Sequence, residues 1–113
     1  MRKRIVETIE MTVNEASRQA DVASSWKTPL VGFADAVDPR FDKLKTAVRP
    51  SHGLPEDLQP GASTVIAYFL PFDPAIPRSN HRGDYVSETW AVAYIETNRL
   101  IATINAQINE LLE

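Results

Sequence analysis

Apolar and aromatic residues recur in alternating steps of four and three through the last quarter of the chain, at Trp90, Tyr94, Thr97, Ile101, Ile104, Ile108 and Leu111. An α-helix gathers positions so spaced onto one face, so the pattern predicts a long amphipathic C-terminal helix. Glu96, Asn98, Arg99, Asn105, Gln107, Asn109 and Glu110 fall mostly off that face. Asp84 or Ser87 suits its N-cap, and Glu88 then lies in the first turn, where negative charge suits the helix dipole. The same period runs through Ile5, Ile9, Val13, Ala16 and Ala20 and predicts a second amphipathic helix over residues 3–22.

Between the two helices the pattern changes. Val65–Leu70 is apolar or aromatic at every position and is bounded by turn formers, Gln59-Pro60-Gly61-Ala62 before it and Pro71-Phe72-Asp73-Pro74 after it. Such a run reads as a strand covered on both faces, with Thr64, Ile66, Tyr68 and Leu70 on one side and Val65, Ala67 and Phe69 on the other. Leu30-Val31-Gly32-Phe33-Ala34 reads as a second buried strand, Gly32 marking a bulge or a close backbone neighbour. Asp38 and Pro39 suit the N-cap and first position of a short helix whose buried stripe is Phe41, Leu44 and Val48. The expectation is one domain over residues 1–113, α/β or α+β in class. In it a small sheet with a buried central strand is flanked by long N- and C-terminal helices.

The connections carry the candidate chemistry. Arg49–Gly61 holds Pro50, Pro55, Pro60, Gly53 and Gly61 and predicts an ordered series of turns. His52 within it has no second histidine at metal-ligand spacing and reads as a surface or hydrogen-bonded group, so no metal site is expected. Pro71–Gly83 leaves the carboxyl end of the central strand, where open α/β sheets bind ligands, and it is longer than an ordinary connection. Phe72, Asn80, His81 and Arg82 on that loop, with Trp90 and Tyr94 at the start of the last helix, are therefore candidate ligand-binding residues. Core packing is the plainer role for Trp90 and Tyr94. Asp84 beside Tyr85 is the candidate catalytic pair, a carboxyl and a phenol able to move protons, with helix capping as the alternative role of Asp84. No Ser/His/Asp arrangement, glycine-rich phosphate loop or paired carboxylates stand out.

Composition narrows the field. The chain has 113 residues, 43% hydrophobic and 24% charged, which suits one folded domain. A net charge of −3 argues against general nucleic-acid or anionic-membrane binding. Arg2-Lys3-Arg4 and the group Arg40, Lys43, Lys45 and Arg49 read as solvated surface rather than anion sites. There is no cysteine, so the chain itself holds no disulfide, thiolate zinc site or cysteine-ligated iron–sulfur cluster. That fits a cytoplasmic location. Glu7 and Glu10 interrupt what would be the apolar part of a signal peptide, and the longest apolar run is too short to span a bilayer.

Val31-Gly32-Phe33-Ala34, then Leu54-Pro55 with Leu58-Gln59-Pro60-Gly61-Ala62-Ser63-Thr64-Val65-Ile66, then Leu70-Pro71-Phe72, resemble the N-terminal region of epoxyqueuosine reductase-like iron–sulfur proteins. That family is related to the corrinoid-dependent reductive dehalogenases. Ser87-Glu88-Thr89-Trp90-Ala91-Val92-Ala93-Tyr94-Ile95-Glu96-Thr97-Asn98 is similar to a shorter branch of it, and the likeness extends from about Val31 to about Leu112. In the reductases this region helps bind a corrinoid, cysteine motifs further along carry the clusters, and an Asp-Tyr-His run contains a catalytic acid. Asp84-Tyr85 matches the first two residues of that run, but Val86 stands where the histidine would be. With no cysteine present, the resemblance implies relatedness to a cofactor-binding half-domain and not a working reductase.

The leading expectation is thus a binding module for a small-molecule ligand, with a corrinoid implied by resemblance alone. The alternatives are an enzyme acting through Asp84 and Tyr85, and a structural dimerisation domain. A homodimer or larger homo-oligomer is expected in any case. Two strands alone leave exposed backbone edges and form a marginal unit, and the Ile101/Ile104/Ile108/Leu111 stripe needs cover.

Overall fold

The computed structural model describes residues 1–80 and 86–113. They form two compact units, one from residues 1–30 with 69–113 and one from residues 31–68. The class is the expected one: long helices near both ends of the chain and a two-stranded antiparallel sheet.

The first unit is built on helix α1, Arg2–Arg18, and helix α5, Glu88–Leu112. They run antiparallel, since Thr8 shares a recess with Gln107 whereas Gln19 shares one with Glu96. Ile5, Ile9 and Val13 of α1 and Ala93, Leu100, Ile104 and Ile108 of α5 are buried in the core, and Ile9 and Ile104 are 0% exposed. Each large side chain so buried stabilises the fold by roughly 1.5–3 kcal/mol. Thr12 is also buried on this face, and its hydroxyl donates to the Thr8 carbonyl at 2.7 Å, whereas the buried Ser17 hydroxyl of the same helix has no hydrogen-bond partner among the described residues. Of the Ile101/Ile104/Ile108/Leu111 stripe that called for a partner, Ile104 and Ile108 are buried within the chain, whereas Ile101 and Leu111 are only half-buried.

Two boundaries differ from the periodic reading. Helix α1 ends at Arg18 rather than at residue 22: Gln19 is already extended, with its N–H bonded to the Ala16 carbonyl, and further on the backbone N–H groups of Ala23 and Ser24 bond to the Glu96 carboxylate. Ala20, expected on the buried stripe, is exposed. The buried face of α5 is rotated from the expected one toward Ala93 and Leu100, which leaves Tyr94 66% exposed. A tyrosine tolerates that position because its hydroxyl stays in water. Each helix has a favourable charge at one end only, Arg18 in the last turn of α1 and Glu88 in the first turn of α5: α1 has no acidic residue in its first turn, and α5 has no basic residue in its last. The antiparallel arrangement sets the Arg2-Lys3-Arg4 end beside the Glu110 end, so each helix compensates the other.

The second unit holds all but the end residues Leu30 and Phe69 of the sheet, strand β1, Leu30–Asp35, paired with strand β2, Thr64–Phe69. The ladder continues to an Ala36 N–H bond to the Ser63 carbonyl at 2.9 Å. Gln59-Pro60-Gly61-Ala62 forms the turn into β2, with Ala62 N–H bonded to the Gln59 carbonyl and Gly61 at φ +81°. Proline followed by a residue of positive φ is the signature of a type II turn, which is why glycine stands there. The sheet is less covered than its composition suggests. No β2 residue from Thr64 to Phe69 is buried, and Leu30 and Phe69 are 64% and 61% exposed. A both-faces-covered strand needs layers above and below it, and the short segments of this unit do not supply them.

Asp38 caps the segment after β1 as expected, accepting from Arg40 N–H at 2.8 Å, with Pro39 at the first helical position. The helix is split into a 3₁₀ turn, Pro39–Asp42, and helix α2, Lys43–Ala47. Phe41 and Leu44 are half-buried, but Val48 is 61% exposed and does not join their stripe. A bidentate ion pair to Arg40, 2.7 Å at its shortest, holds the Asp38 carboxyl down at about 2. That pairing uses one of the cations of this basic group. Helix α3, Pro55–Leu58, is closed by Asp57 accepting the Leu54 N–H at 2.8 Å. His52 lies 2.8 Å from the Gly53 carbonyl through Nδ1, a local contact.

Candidate functional site

The region singled out by the strand-end rule is where the chain returns to α5. Helix α4, Ala75–Arg78, follows the loop Leu70–Pro74 and buries Ile76 to 4% exposure. Asp73 Oδ1 accepts the Ala75 N–H at its first residue at 2.9 Å, Pro74 being the N-cap. Asp73 is in turn fixed by its own N–H to the Ser25 carbonyl at 3.1 Å, and Lys27 N–H bonds to Pro71 at 2.9 Å. Trp26 and Phe72 face each other across this short antiparallel bridge.

Ser87 is the N-cap of α5, its hydroxyl accepting from Trp90 N–H at 3.0 Å. Asn80 Oδ1 accepts the Ser87 N–H at 2.7 Å, and the Ser79 hydroxyl contacts that of Ser87. Phe72 meets Trp90 edge-on, with ring centroids 5.5 Å apart and planes at 74°. Of the candidate ligand-binding residues, Phe72, Asn80 and Trp90 are thus brought together, but each is engaged in holding this corner of the fold. Tyr94 points away into solvent. His81, Arg82, Asp84 and Tyr85 lie outside the described residues. Ser87, not Asp84, supplies the observed cap.

A recess of about 250 Å³ does lie between α4 and the start of α5, lined by Ala23, Ser24, Ile76, Glu88, Thr89 and Val92. Its place agrees with the strand-end expectation, whereas its lining turns on Thr89 and Val92 rather than on Trp90 and Tyr94. It is smaller than the roughly 300–1,000 Å³ typical of sites for drug-sized ligands. A corrinoid macrocycle is larger than such ligands, so this recess alone does not fit one. Among the described residues no group of His, Asp and Glu is placed to hold a metal ion, and the chain has no thiolate. No helix among them is long and apolar enough to cross a membrane.

The most organised polar cluster is one that periodicity did not mark. Glu96 on α5 accepts from Ala23 N–H at 3.1 Å, Ser24 N–H at 2.9 Å and the Ser24 hydroxyl at 2.6 Å. Partial burial pushes its carboxyl up, but the Ser24 and Ala23 hydrogen bonds and the nearby Arg99 charge outweigh that and hold it below its ordinary range. One residue on, the Thr97 hydroxyl accepts the Trp26 indole N–H at 3.1 Å. Trp90, Glu96 and Thr97, the distinctive residues of the Trp90–Asn98 run, each fasten the 23–26 or 72 segment to α5. The only advance signal was that run itself, since Glu96 falls off the apolar stripe.

No family model matches the chain, and neither a curated protein nor a solved structure is similar enough to count as a match.

Proposed function

We propose that the chain is a non-catalytic binding module that acts by docking its sheet against another polypeptide, a second copy of itself in the first instance. The observation that carries this reading is the incomplete cover of two almost wholly apolar strands, with Leu30 and Phe69 more than half exposed. Water-facing side chains of that size, on strands with no third partner among the described residues, favour association. Asp35 is the sole charge in β1 and β2, so each of two copies brings only one charged strand residue to the contact. The resemblance to the N-terminal region of epoxyqueuosine reductase-like proteins supports a half-domain that works with a further polypeptide. In this reading residues 71–94 supply at most one wall of a cofactor site, and the chain alone does not retain a corrinoid.

The test is to replace Phe69 with lysine and to follow molar mass and circular dichroism together. The proposal expects the parent to associate and the variant to stay folded with reduced association. Equal association of parent and variant, or a parent that remains monomeric, rejects the self-docking surface. A cobalamin titration of the same samples reports on the cofactor. Saturable binding by the monomer would show that the chain carries a complete site and that docking is not its purpose.

A further inference from the structure

We draw no further inference here: the strongest candidate, the groove of about 170 Å³ between α1 and α5 lined in part by Glu15, Asp21, Glu96 and Arg99, rests on a cluster of acidic side chains with no second observation that points to a ligand.

Discussion

Replacing Glu96 tests the polar contact that joins the segment after α1 to α5. In Glu96→Ala the two backbone N–H groups and the Ser24 hydroxyl lose their common acceptor, and Ser24 is only 6% exposed, so water replaces that acceptor incompletely. Hydrogen bonds to a charged group contribute about 1.5–3 kcal/mol, and removing one partner leaves the other's desolvation uncompensated. Glu96 itself is half-buried and partly screened, which argues for a total near the lower end, about 2 kcal/mol. For a domain of this size that corresponds to a fall in Tm of very roughly 10 °C. Glu96→Gln keeps one acceptor oxygen and loses the charge, so it should cost about half as much.

The pH dependence follows from the direction of the shift. The folded-state carboxyl is held below its unfolded value of 4.5, so its contribution is fully present above that value and is lost as pH falls through the folded-state pKa. Urea unfolding followed by circular dichroism at neutral pH and through the acid range measures both effects. The parent should lose stability below pH 4.5 by more than Glu96→Gln does. An alanine variant within about 0.5 kcal/mol of the parent at neutral pH, the range of an ordinary surface substitution, would refute the role given to Glu96.

Three further substitutions probe other parts of the fold, each by denaturant unfolding. Ile104→Ala should cost about 3 kcal/mol as a fully buried residue, whereas Tyr94→Ala, 66% exposed, should change stability by less than about 0.5 kcal/mol; similar losses for both would restore the original stripe. Ser87→Ala removes the α5 cap and should cost about 1 kcal/mol, with Ser87→Asp largely restoring it. Gly61→Ala should destabilise by about 1 kcal/mol through its positive φ alone, since a Cβ there meets no atom within 4 Å. A neutral or stabilising result at that position would contradict the turn geometry.

Local and periodic features were legible in the sequence, and tertiary ones were not. The two long helices, the Asp38-Pro39 cap, the Pro60-Gly61 turn and both strands follow from spacing and from residue conformational preference, which act within a few residues of chain. The rotation of the α5 face was not legible, because Ala93 and Leu100 on one side and Tyr94 and Ile101 on the other satisfy a helical period almost equally. Which side is covered depends on α1. The end of α1 is not legible for the same reason: Ala20 continues the apolar period, but the chain turns extended at Gln19 and a carboxylate more than seventy residues away holds the backbone of Ala23 and Ser24. The strands illustrate the reverse error. An uninterrupted apolar run signals that burial would be favourable, not that this chain provides the cover.

At the candidate site the location was inferable and the roles were not. Phe72, Asn80 and Trp90 cluster as the strand-end rule suggested, yet their partners are one another and Ser87. Nothing in a single sequence distinguishes an aromatic pair that closes a corner from one that lines a pocket. Trp90, Glu96 and Thr97 are fold-holding residues here, so a likeness carried by that run reflects architecture at least as much as ligand recognition.

The proposed docking function is tested most directly by the molar mass of the parent chain, measured by light scattering on dilution through the low micromolar range. Self-association through the sheet predicts a concentration-dependent rise toward twice the chain mass of 12.6 kDa, abolished by Phe69→Lys without loss of helicity. A folded species that keeps the single-chain mass at every concentration would contradict it.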